Sequence, residues 1–488
     1  MGDRVTLTIK DQVNVKFDDL PPEMRRKISE ACKYTVPYAR HTPQFKLGRW
    51  DGKIAFATIG GSTFLNMLDK VLPIILEEGY ELDIVDKRKS YEFQFPAITA
   101  DMLAHKVWPE GHPIAGQPIM LRDYQVEAIR RYLDNLQSIQ SISTGAGKTL
   151  LTATLSSVCE PYGRTIVIVP NKSLVEQTEE DYRNLGLDVG VFYGDRKEWG
   201  HKHTIATWQS LGAFNKRDKL GNTEAGGSIM DFIDGVICVM VDEVHSAKAE
   251  VLKDLLTGPM ANIPIRWGLT GTVPKEEFEF KALEVSLGPV VGEIKASDLQ
   301  EQGVLAKCQI EFLQLQDEHV AFKTYASEYD FLTSDRDRLD YLAEQFANIS
   351  QTGNTLILVD RIECGKYLTS LLPDAVFING TVKTKDRKKE YKSVHTADNK
   401  IVVATYGVAA VGINIPRIFN LILIEPGKSF VRVIQSIGRG IRVAEDKDFV
   451  QVYDVTTNLK FSAKHITERK KFYKEANYPF TLTKVKYK

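Results

Sequence analysis

A glycine-rich heptapeptide carries the strongest chemical signal in the sequence. Residues 143–149 read Ser-Thr-Gly-Ala-Gly-Lys-Thr, after a predicted strand and at the start of a predicted helix. Glycines let backbone N–H groups approach phosphate oxygens, and a helix N-terminus adds partial positive charge. Lys148 would reach the β- and γ-phosphates of ATP, and the Thr149 hydroxyl would bind Mg²⁺. The other nucleotide-binding positions of this loop are Thr144, Gly145, Ala146 and Gly147.

Two consecutive acids form the second candidate site, because they end the apolar run Val239–Val241. A strand ending there places both carboxylates at the edge of a sheet, facing the phosphate loop. Asp242 would hold Mg²⁺ through water, and Glu243 would orient or deprotonate the attacking water. A surface turn explains an isolated Asp-Glu pair equally well, but the upstream heptapeptide favours catalysis. For the nearby candidate His245, a packing role fits almost as well as a catalytic one.

The segment Gln435–Arg442 is the third candidate, with arginines at 439 and 442. Residues spaced i, i+3 share one helix face, so both guanidinium groups can enter one cleft. A guanidinium there stabilises charge on the transferring phosphoryl group and contributes ~10³–10⁵ in rate. In isolation such a pair is more typical of a solvated helix face. Its catalytic interpretation therefore depends on the other motifs.

Buried parallel strands are the elements that would position these groups. Uninterrupted apolar runs that alternate with helical segments are typical of parallel sheets covered on both faces. We predict an α/β fold with two such sheets, which meet near residues 298–308. The apolar runs lie at 165–169, 236–241, 355–359, 401–404 and 421–424.

Residues 1–112 are predicted to form a separate small α+β domain, linked by the Pro- and Gly-rich segment 109–118. Its expected elements are paired strands at 5–9 and 13–17, helices from 22 toward 34 and over 63–78, an Asp51-Gly52 turn, and a strand at 80–85. Eight basic and two acidic residues lie between positions 25 and 53, and nine basic and two acidic ones between 460 and 488. Such clusters suit phosphate contacts, although solvated surface charge explains either cluster alone.

The bulk composition excludes several classes of protein. With 488 residues, the chain is long enough for about three domains. The net charge of −1 excludes a uniformly basic nucleic-acid binder, and the five cysteines form no Cys-x-x-Cys pair. No apolar run is long enough for a membrane span, and the N-terminus does not resemble a signal peptide. A cytoplasmic location is the expectation.

The order and spacing of the motifs resemble those of superfamily-2 helicases. The variant Thr-Gly-x-Gly-Lys-Thr, with Ile142 in place of the first glycine of the general pattern, is usual in that family. The resemblance implies two RecA-like motor lobes, at 113–297 and 298–488. Further segments with counterparts in the family are 121–125, 168–172, 206–209, 269–272, 403–407 and 411–414.

The resemblance also implies roles for individual residues. The counterpart of Gln125 reads the adenine edge, and Gly412 belongs to the ATP-binding set. Gln435, Arg439 and Arg442 match positions that complete the ATP site from the opposite lobe. Thr270 and Thr272 match the segment that couples hydrolysis to lobe movement. Counterparts of nucleic-acid contacts are Pro170, Asn171, Lys172, Thr207, Trp208, Gln209 and Thr405.

A narrower resemblance, to the phage UvsW and T5-like branch-migration helicases, covers nearly the whole chain. It is carried by residues 42–53, which read Thr-Pro-Gln-Phe-Lys-Leu-Gly-Arg-Trp-Asp-Gly-Lys, and by Thr-Trp-Gln at 207–209. It implies an N-terminal domain that grips duplex DNA, with Arg49, Trp50 and Lys53 as contacts. A base-stacking face for Trp50 and a place in the domain's own core are both compatible with the pattern.

The sequence therefore predicts an ATP- and Mg²⁺-dependent DNA helicase or translocase. The resemblance implies branched DNA, such as a fork or Holliday junction, as its substrate in phage recombination, repair or replication. An RNA helicase is one alternative, because the motor motifs do not separate DNA from RNA. A translocating subunit of a restriction or defence complex, dependent on a partner nuclease, is the other. We expect a monomer that binds DNA and no membrane, in the host cytoplasm if a phage encodes it.

Overall fold

The computed structural model describes residues 4–487 with interruptions. The chain forms two compact units. The first contains residues 1–142 and 148–293, and the second contains 143–147 and 294–488. Within these limits, no described helix has the length and apolar character that a membrane crossing requires. The positions not described are 1–3, 111–113, 222–226, 244–248, 272, 275, 318–320, 383, 413–414, 416, 430–432, 434–435, 439–443, 445 and 488.

The N-terminal part of the first unit is built on a four-stranded sheet and a two-stranded ribbon. Its strands are β1 (Arg4–Ile9), β2 (Asn14–Asp18), β3 (Lys33–Thr35), β4 (Lys53–Ala55), β5 (Ser62–Phe64) and β6 (Glu81–Asp86). Its helices are α1 (Pro22–Ala31), α2 (Pro43–Lys46) and α3 (Leu68–Glu77), with 3₁₀ turns at Ala39–His41 and Leu65–Met67. The sheet order is β5-β2-β1-β6, with β1 antiparallel to β2 and parallel to β6.

Two predicted helices of this region are shorter than expected. The first ends at Ala31, since β3 turns away to pair with β4. The second begins at Leu68, since β5 pairs with β2. In both places strand pairing overrides a helical pattern, a tertiary effect that local sequence does not record.

The first lobe contains an eight-stranded sheet between helices. Its strands are β7 (Gln137–Ile142), β8 (Arg164–Val169), β9 (Val189–Tyr193), β10 (Arg196–Lys197), β11 (His203–Thr207), β12 (Val236–Asp242), β13 (Ile265–Thr270) and β14 (Val290–Ile294). Its helices are α4 (Asp123–Asp134), α5 (Lys148–Cys159), α6 (Lys172–Asn184), α7 (Trp208–Lys219), α8 (Ile229–Phe232), α9 (Ala249–Thr257) and α10 (Glu277–Leu287). The order is β10-β9-β11-β8-β12-β13-β7-β14, and the strands from β9 through β7 run parallel.

The N-terminal region and the first lobe share one hydrophobic core. Phe278, Ala282 and Val285 of α10 belong to the same buried cluster as the core of the N-terminal sheet. The ring centroid of Phe56 lies 5.8 Å from that of Phe278, which is only 1% exposed. Polar contacts add to this packing, because Asn14 donates to the Thr257 carbonyl and Asn66 to the Glu284 carbonyl. The N-terminal region therefore packs as part of the first lobe.

The second unit contains a seven-stranded parallel sheet. Its strands are β15 (Lys307–Leu315), β16 (Thr355–Val359), β17 (Val376–Ile378), β18 (Ile401–Thr405), β19 (Asn420–Ile424), β20 (Phe449–Thr457) and β21 (Phe480–Val485), in the order β17-β18-β16-β19-β20-β15-β21. Its helices are α11 (Ala296–Glu301), α12 (Tyr325–Ser334), α13 (Arg336–Ser350), α14 (Ile362–Leu371), α15 (Thr384–His395), α16 (Tyr406–Gly412) and α17 (Ser462–Glu475). The two parallel sheets confirm the predicted α/β architecture, and every apolar run named above lies in a strand.

Five charged side chains are buried together in the second lobe: Asp317, Arg338, Glu425, Asp454 and Arg469. Arg338 donates to Glu425 at 2.8 Å and lies 3.3 Å from Asp317, while Arg469 donates twice to Asp454. Two guanidinium groups balance two of the three carboxylates. Burial therefore outweighs the arginines at Glu425 and raises its pKa to about 7.

This shift makes the free energy of unfolding depend on pH. The folded pKa of Glu425 lies above its unfolded value, so the native state binds the additional proton and loses stability as pH rises toward and through 7. In the parent, the free energy of unfolding should decrease between pH 6 and 8, and we expect Glu425→Gln to remove about 1 kcal/mol of this decrease. Urea unfolding at both pH values measures it. The exposed Glu363→Gln is the matched control, and an unaltered pH slope in Glu425→Gln would contradict the assignment.

Candidate active site

The glycine-rich loop connects β7 to α5, as the sequence predicts. Strand β7 ends at Ile142 and α5 begins at Lys148. Gly145 and Gly147 have φ values of 89° and 80°, a left-handed conformation that side chains other than glycine adopt at a cost. The loop is closed by the Ala146 N–H, which donates to the Ser143 carbonyl at 3.2 Å. The required backbone conformation explains why glycine stands at these two positions.

Lys148 and Glu243 form a close ion pair at the carboxyl edge of the first-lobe sheet. Lys148 Nζ donates to Glu243 Oε1 at 2.5 Å, and the side chains are only 10% and 9% exposed. The other Glu243 oxygen lies 3.5 Å from the Gly271 N–H, and Asp242 accepts from the Glu243 N–H at 2.9 Å. Three segments far apart in sequence therefore meet around one carboxylate.

The backbone at Glu243 is left-handed, with a φ of 52°. This conformation costs a non-glycine residue about 1 kcal/mol or more, so surrounding contacts must maintain it. It occurs directly after β12 ends at Asp242, where the chain turns out of the sheet. The turn presents the Glu243 side chain to Lys148. Local strain at a charged, buried residue is characteristic of functional sites.

Gln125 lies in the first turn of α4 and is buried. Its side-chain oxygen accepts from the Arg122 N–H at 2.9 Å, which satisfies a donor at the helix N-terminus. The structure thus gives Gln125 a capping role, and its contact with adenine stays a prediction.

Two of the predicted nucleic-acid motifs lie side by side, because they follow the neighbouring parallel strands β8 and β11. Gln209 donates to the Pro170 carbonyl at 2.8 Å and so connects the two motifs directly. The Asn171 and Thr207 side chains cap the N-termini of α6 and α7. Both caps leave helix N-termini directed toward this edge, where partial positive charge favours phosphate oxygens.

The other members of these motifs differ in exposure. The Lys172 side chain is exposed and lies 3.7 Å from Glu176. Trp208 packs against the first-lobe core, and its indole nitrogen is buried without a hydrogen-bond partner among the described residues. The geometry therefore gives Trp208 a packing role and leaves Lys172 available to a ligand.

In the second lobe, Thr405 ends β18 at the carboxyl edge of the sheet, and Gly412 ends α16, the helix that follows β18. The remaining predicted residues lie outside the described part of the chain. They are His245, Thr272, Gln435, Arg439 and Arg442.

The turn formed by residues 42–53 of the N-terminal domain packs partly against the hydrophobic core. Phe45 and Trp50 pack against the shared hydrophobic cluster, and the Trp50 indole N–H donates to the Lys53 carbonyl at 2.7 Å. Gly52 has a φ of 79°, and a Cβ there would meet the Phe45 ring at 3.0 Å. Arg49 and Lys53 are exposed. The rings thus shape the turn, and the two cations face solvent.

Sequence reasoning missed the part of Gly271, which contributes a backbone N–H to Glu243. The resemblance implies roles for the two threonines that flank this glycine in Leu-Thr-Gly-Thr, of which Thr270 is fully buried. A glycine directly after a buried strand was the available signal, because it permits close approach of backbone and side chain.

Comparisons with known proteins agree with this geometry. Residues 118–275 match the family described as "Type III restriction enzyme, res subunit", and residues 337–444 match "Helicase conserved C-terminal domain". The first match lies in the first lobe and includes the heptapeptide and the acid pair, and the second lies within the second lobe. The chain is an ATP-dependent helicase of superfamily 2.

Within that superfamily, the chain is similar to the ATP-dependent DNA helicase uvsW of Enterobacteria phage T4. The two are 23% identical over 458 residues, which cover 89% of this chain and 87% of the relative. A DNA 3'-5' translocase of the XPB type from Sulfurisphaera tokodaii is 27% identical over 180 residues, 37% of each chain. A fragment of a putative HsdR subunit of a type I restriction enzyme from Vibrio vulnificus has the same fold, with a TM-score of 0.55 and 16% identity, covering 97% of this chain and 85% of that one.

Proposed function

We propose that this helicase uses ATP hydrolysis to translocate on DNA and to remodel branched DNA, such as forks or four-way junctions. One observation carries the proposal. The similarity to the phage T4 DNA helicase covers 89% of the chain, more than the two lobes alone contain, so it extends into the N-terminal region. A relative that shared only the motor would not support a common substrate.

The Lys148–Glu243 pair supports a simple account of how hydrolysis is controlled. While Lys148 holds Glu243 at 2.5 Å, the ammonium group occupies a carboxylate oxygen that would otherwise face the attacking water. The phosphates of ATP would compete for the same ammonium group. Glu243 would then be released from Lys148 and could accept a proton from the attacking water. The Gly271 N–H would hold the Glu243 carboxylate in place.

The residues at the site also fit a magnesium ion. Asp242 ends β12, and Thr149 lies in the first turn of α5, which follows β7, so both side-chain oxygens come from the carboxyl ends of parallel strands of one sheet. Hard cations such as Mg²⁺ prefer these oxygen donors together with phosphate oxygens. When bound, Mg²⁺ would neutralise charge on the phosphates. The protein would contribute the Thr149 hydroxyl as a direct ligand and Asp242 through water.

For the nucleic-acid path we propose the joined ends of β8 and β11. The Gln209–Pro170 hydrogen bond keeps the two loops in register, and the capped helix N-termini there offer N–H groups to the sugar-phosphate backbone. Contacts of this type position a strand without reading its bases, which suits a motor that must act on any sequence.

We propose that the N-terminal domain contributes duplex contacts through Arg49 and Lys53. Alanine at both positions should weaken binding of fork DNA and lower the slope of log K against log salt by ~0.9 for each lost phosphate contact. Fluorescence anisotropy across a salt series measures both effects. The matched control is Lys216→Ala with Lys219→Ala, two exposed lysines at the end of α7. An unchanged slope in the Arg49 and Lys53 variant would contradict a role in gripping DNA.

The choice of substrate is tested by stimulation of ATP turnover. We expect fork DNA and four-way junctions to stimulate the purified protein more strongly than single-stranded DNA or RNA of equal length. Stronger stimulation by RNA would reject the proposal. The match to the res-subunit family favours, as a second candidate, a translocating subunit that works with a partner nuclease. That candidate requires strand-separation activity to be absent from the isolated chain.

A further inference from the structure

Three aromatic rings form a regular stack on the segment that follows β6. Tyr91, Phe93 and Phe95 alternate along an extended chain, which brings their side chains to the same side. The centroids are 5.8 Å and 5.5 Å apart, and the ring planes are within 4° and 9° of parallel. Tyr162 contacts Phe93 and Phe95 edge-on, so these two rings are fixed to the first lobe. Tyr91 ends the stack.

Two hydrogen bonds between the Tyr162 hydroxyl and the Gln94 backbone hold the stack in position. The Tyr162 hydroxyl donates to the Gln94 carbonyl at 2.5 Å and accepts from the Gln94 N–H at 2.9 Å. An extended segment with no strand partner needs such bonds to keep a fixed geometry. The rings therefore form a preorganised surface.

Basic residues and an open groove adjoin the terminal ring. Lys89 Nζ lies 5.2 Å above the Tyr91 ring, and Lys87 and Lys89 are exposed. A groove of about 370 Å³ lies beside them, lined by Tyr91, Phe93, Arg88, Lys89, Gln12 and Gln137. The Gln137 side-chain oxygen is buried without a hydrogen-bond partner among the described residues, while the nitrogen of the same amide donates to the Gln12 carbonyl at 2.9 Å.

This surface is separate from the catalytic edge of the first lobe. Gln137 begins β7 and Pro264 directly precedes β13, so the groove lies at the amino ends of the parallel strands. Asp242 and Glu243 lie at the opposite, carboxyl ends. Five steps along a strand such as β7 separate the two edges by roughly 17 Å.

We propose that Lys87–Phe95 is a second single-stranded DNA site, in which a base stacks on Tyr91 and its phosphates contact Lys87 and Lys89. An aromatic platform beside exposed lysines is the combination that binds single strands without sequence preference. In the absence of DNA, Lys89 covers the ring by a cation–π contact, and a base takes its place. A protein partner would find a groove lined largely by polar side chains, in which Arg88 is paired with Asp86 and Lys89 is exposed.

The test combines photocrosslinking with affinity measurement on the full chain. Oligothymidylate that carries 5-iodouracil should crosslink to the peptide that contains Tyr91. Tyr91→Ala should weaken the Kd for oligothymidylate at least about fivefold, the loss of one base stack, while Tyr91→Phe restores it. ATP turnover without DNA should not change. Leu220→Ala, which removes an exposed apolar side chain elsewhere on the first lobe, is the matched control.

The inference rests on the proposed function in that it assumes a DNA substrate, and the outcomes separate the two. A parent protein that binds no DNA overturns both. A parent that binds oligothymidylate, with an unchanged Kd in Tyr91→Ala and crosslinks confined to 170–172 and 207–209, overturns only the second site. An equal loss in Tyr91→Phe and Tyr91→Ala, with lowered thermal stability in both, identifies Tyr91 as structural and also overturns it.

Discussion

Replacing Lys148 by alanine is expected to lower the kcat for ATP hydrolysis by a factor on the order of 10²–10³ or more. The ammonium group lies 2.5 Å from the Glu243 carboxylate, and the Lys148 side chain is nearly buried. In the variant, charge that develops on the phosphates in the transition state loses a preorganised partner, which reorganising water replaces only in part. Steady-state ATP turnover with saturating fork DNA measures the effect.

Two further measurements make this expectation specific. DNA binding by Lys148→Ala should remain close to that of the parent, because the proposed partner of Lys148 is a phosphate of the nucleotide and the proposed strand contacts follow β8 and β11. Lys219→Ala, an exposed lysine at the end of α7, should leave turnover unchanged. Turnover of Lys148→Ala within about tenfold of the parent, a barrier change of about 1.4 kcal/mol, would reject the assignment of the phosphate loop.

Glu243→Gln is expected to reduce kcat by about 10²–10⁴ while ATP binding is retained. The amide keeps the size of the side chain and can still accept from the Gly271 N–H, but it cannot take a proton from water. Because the amide also releases Lys148, nucleotide affinity should stay level or increase. A slow variant with normal or tighter ATP binding is thus the signature of a lost base.

The measurement for Glu243→Gln is a pair of experiments, single-turnover hydrolysis and equilibrium binding of a fluorescent ATP analogue. Glu277→Gln, at an exposed position in the first turn of α10, is the matched control. If affinity for ATP falls in parallel with kcat, Glu243 organises the binding site and another group is the base. Thermal unfolding distinguishes either result from a misfolded variant, since Lys148 loses its buried partner.

The sequence predicted those features that depend on neighbouring residues along the chain. The phosphate loop, the acid pair after β12 and the apolar strands all follow from local composition and spacing, and the structure places them as expected. The Lys148–Glu243 ion pair was beyond prediction, because Lys148 begins α5 and Glu243 follows β12, 95 residues further along the chain. Spacing shows that both reach one edge, and only the fold shows that they touch.

The N-terminal region illustrates the opposite limit. Its strand pattern was correctly read, and its charge and its Pro- and Gly-rich linker suggested an independent domain. Phe278 looks like any other apolar residue of an amphipathic helix, and nothing in α10 marks its face as covered by residues that lie before the linker. Packing between segments far apart in sequence creates no local pattern, so the shared core appears only in the structure.

That shared core determines how a pulling force would pass through the molecule. If an N-terminal domain is joined only by a flexible linker, a force on DNA bound to it first extends the linker. Here any swivel would expose Phe278, and exposing a large aromatic side chain costs about 2–3 kcal/mol before the polar contacts at Thr257 and Glu284 are counted. The domain is therefore rigidly attached to the first lobe. A force applied at Arg49 and Lys53 would be transmitted directly to that lobe.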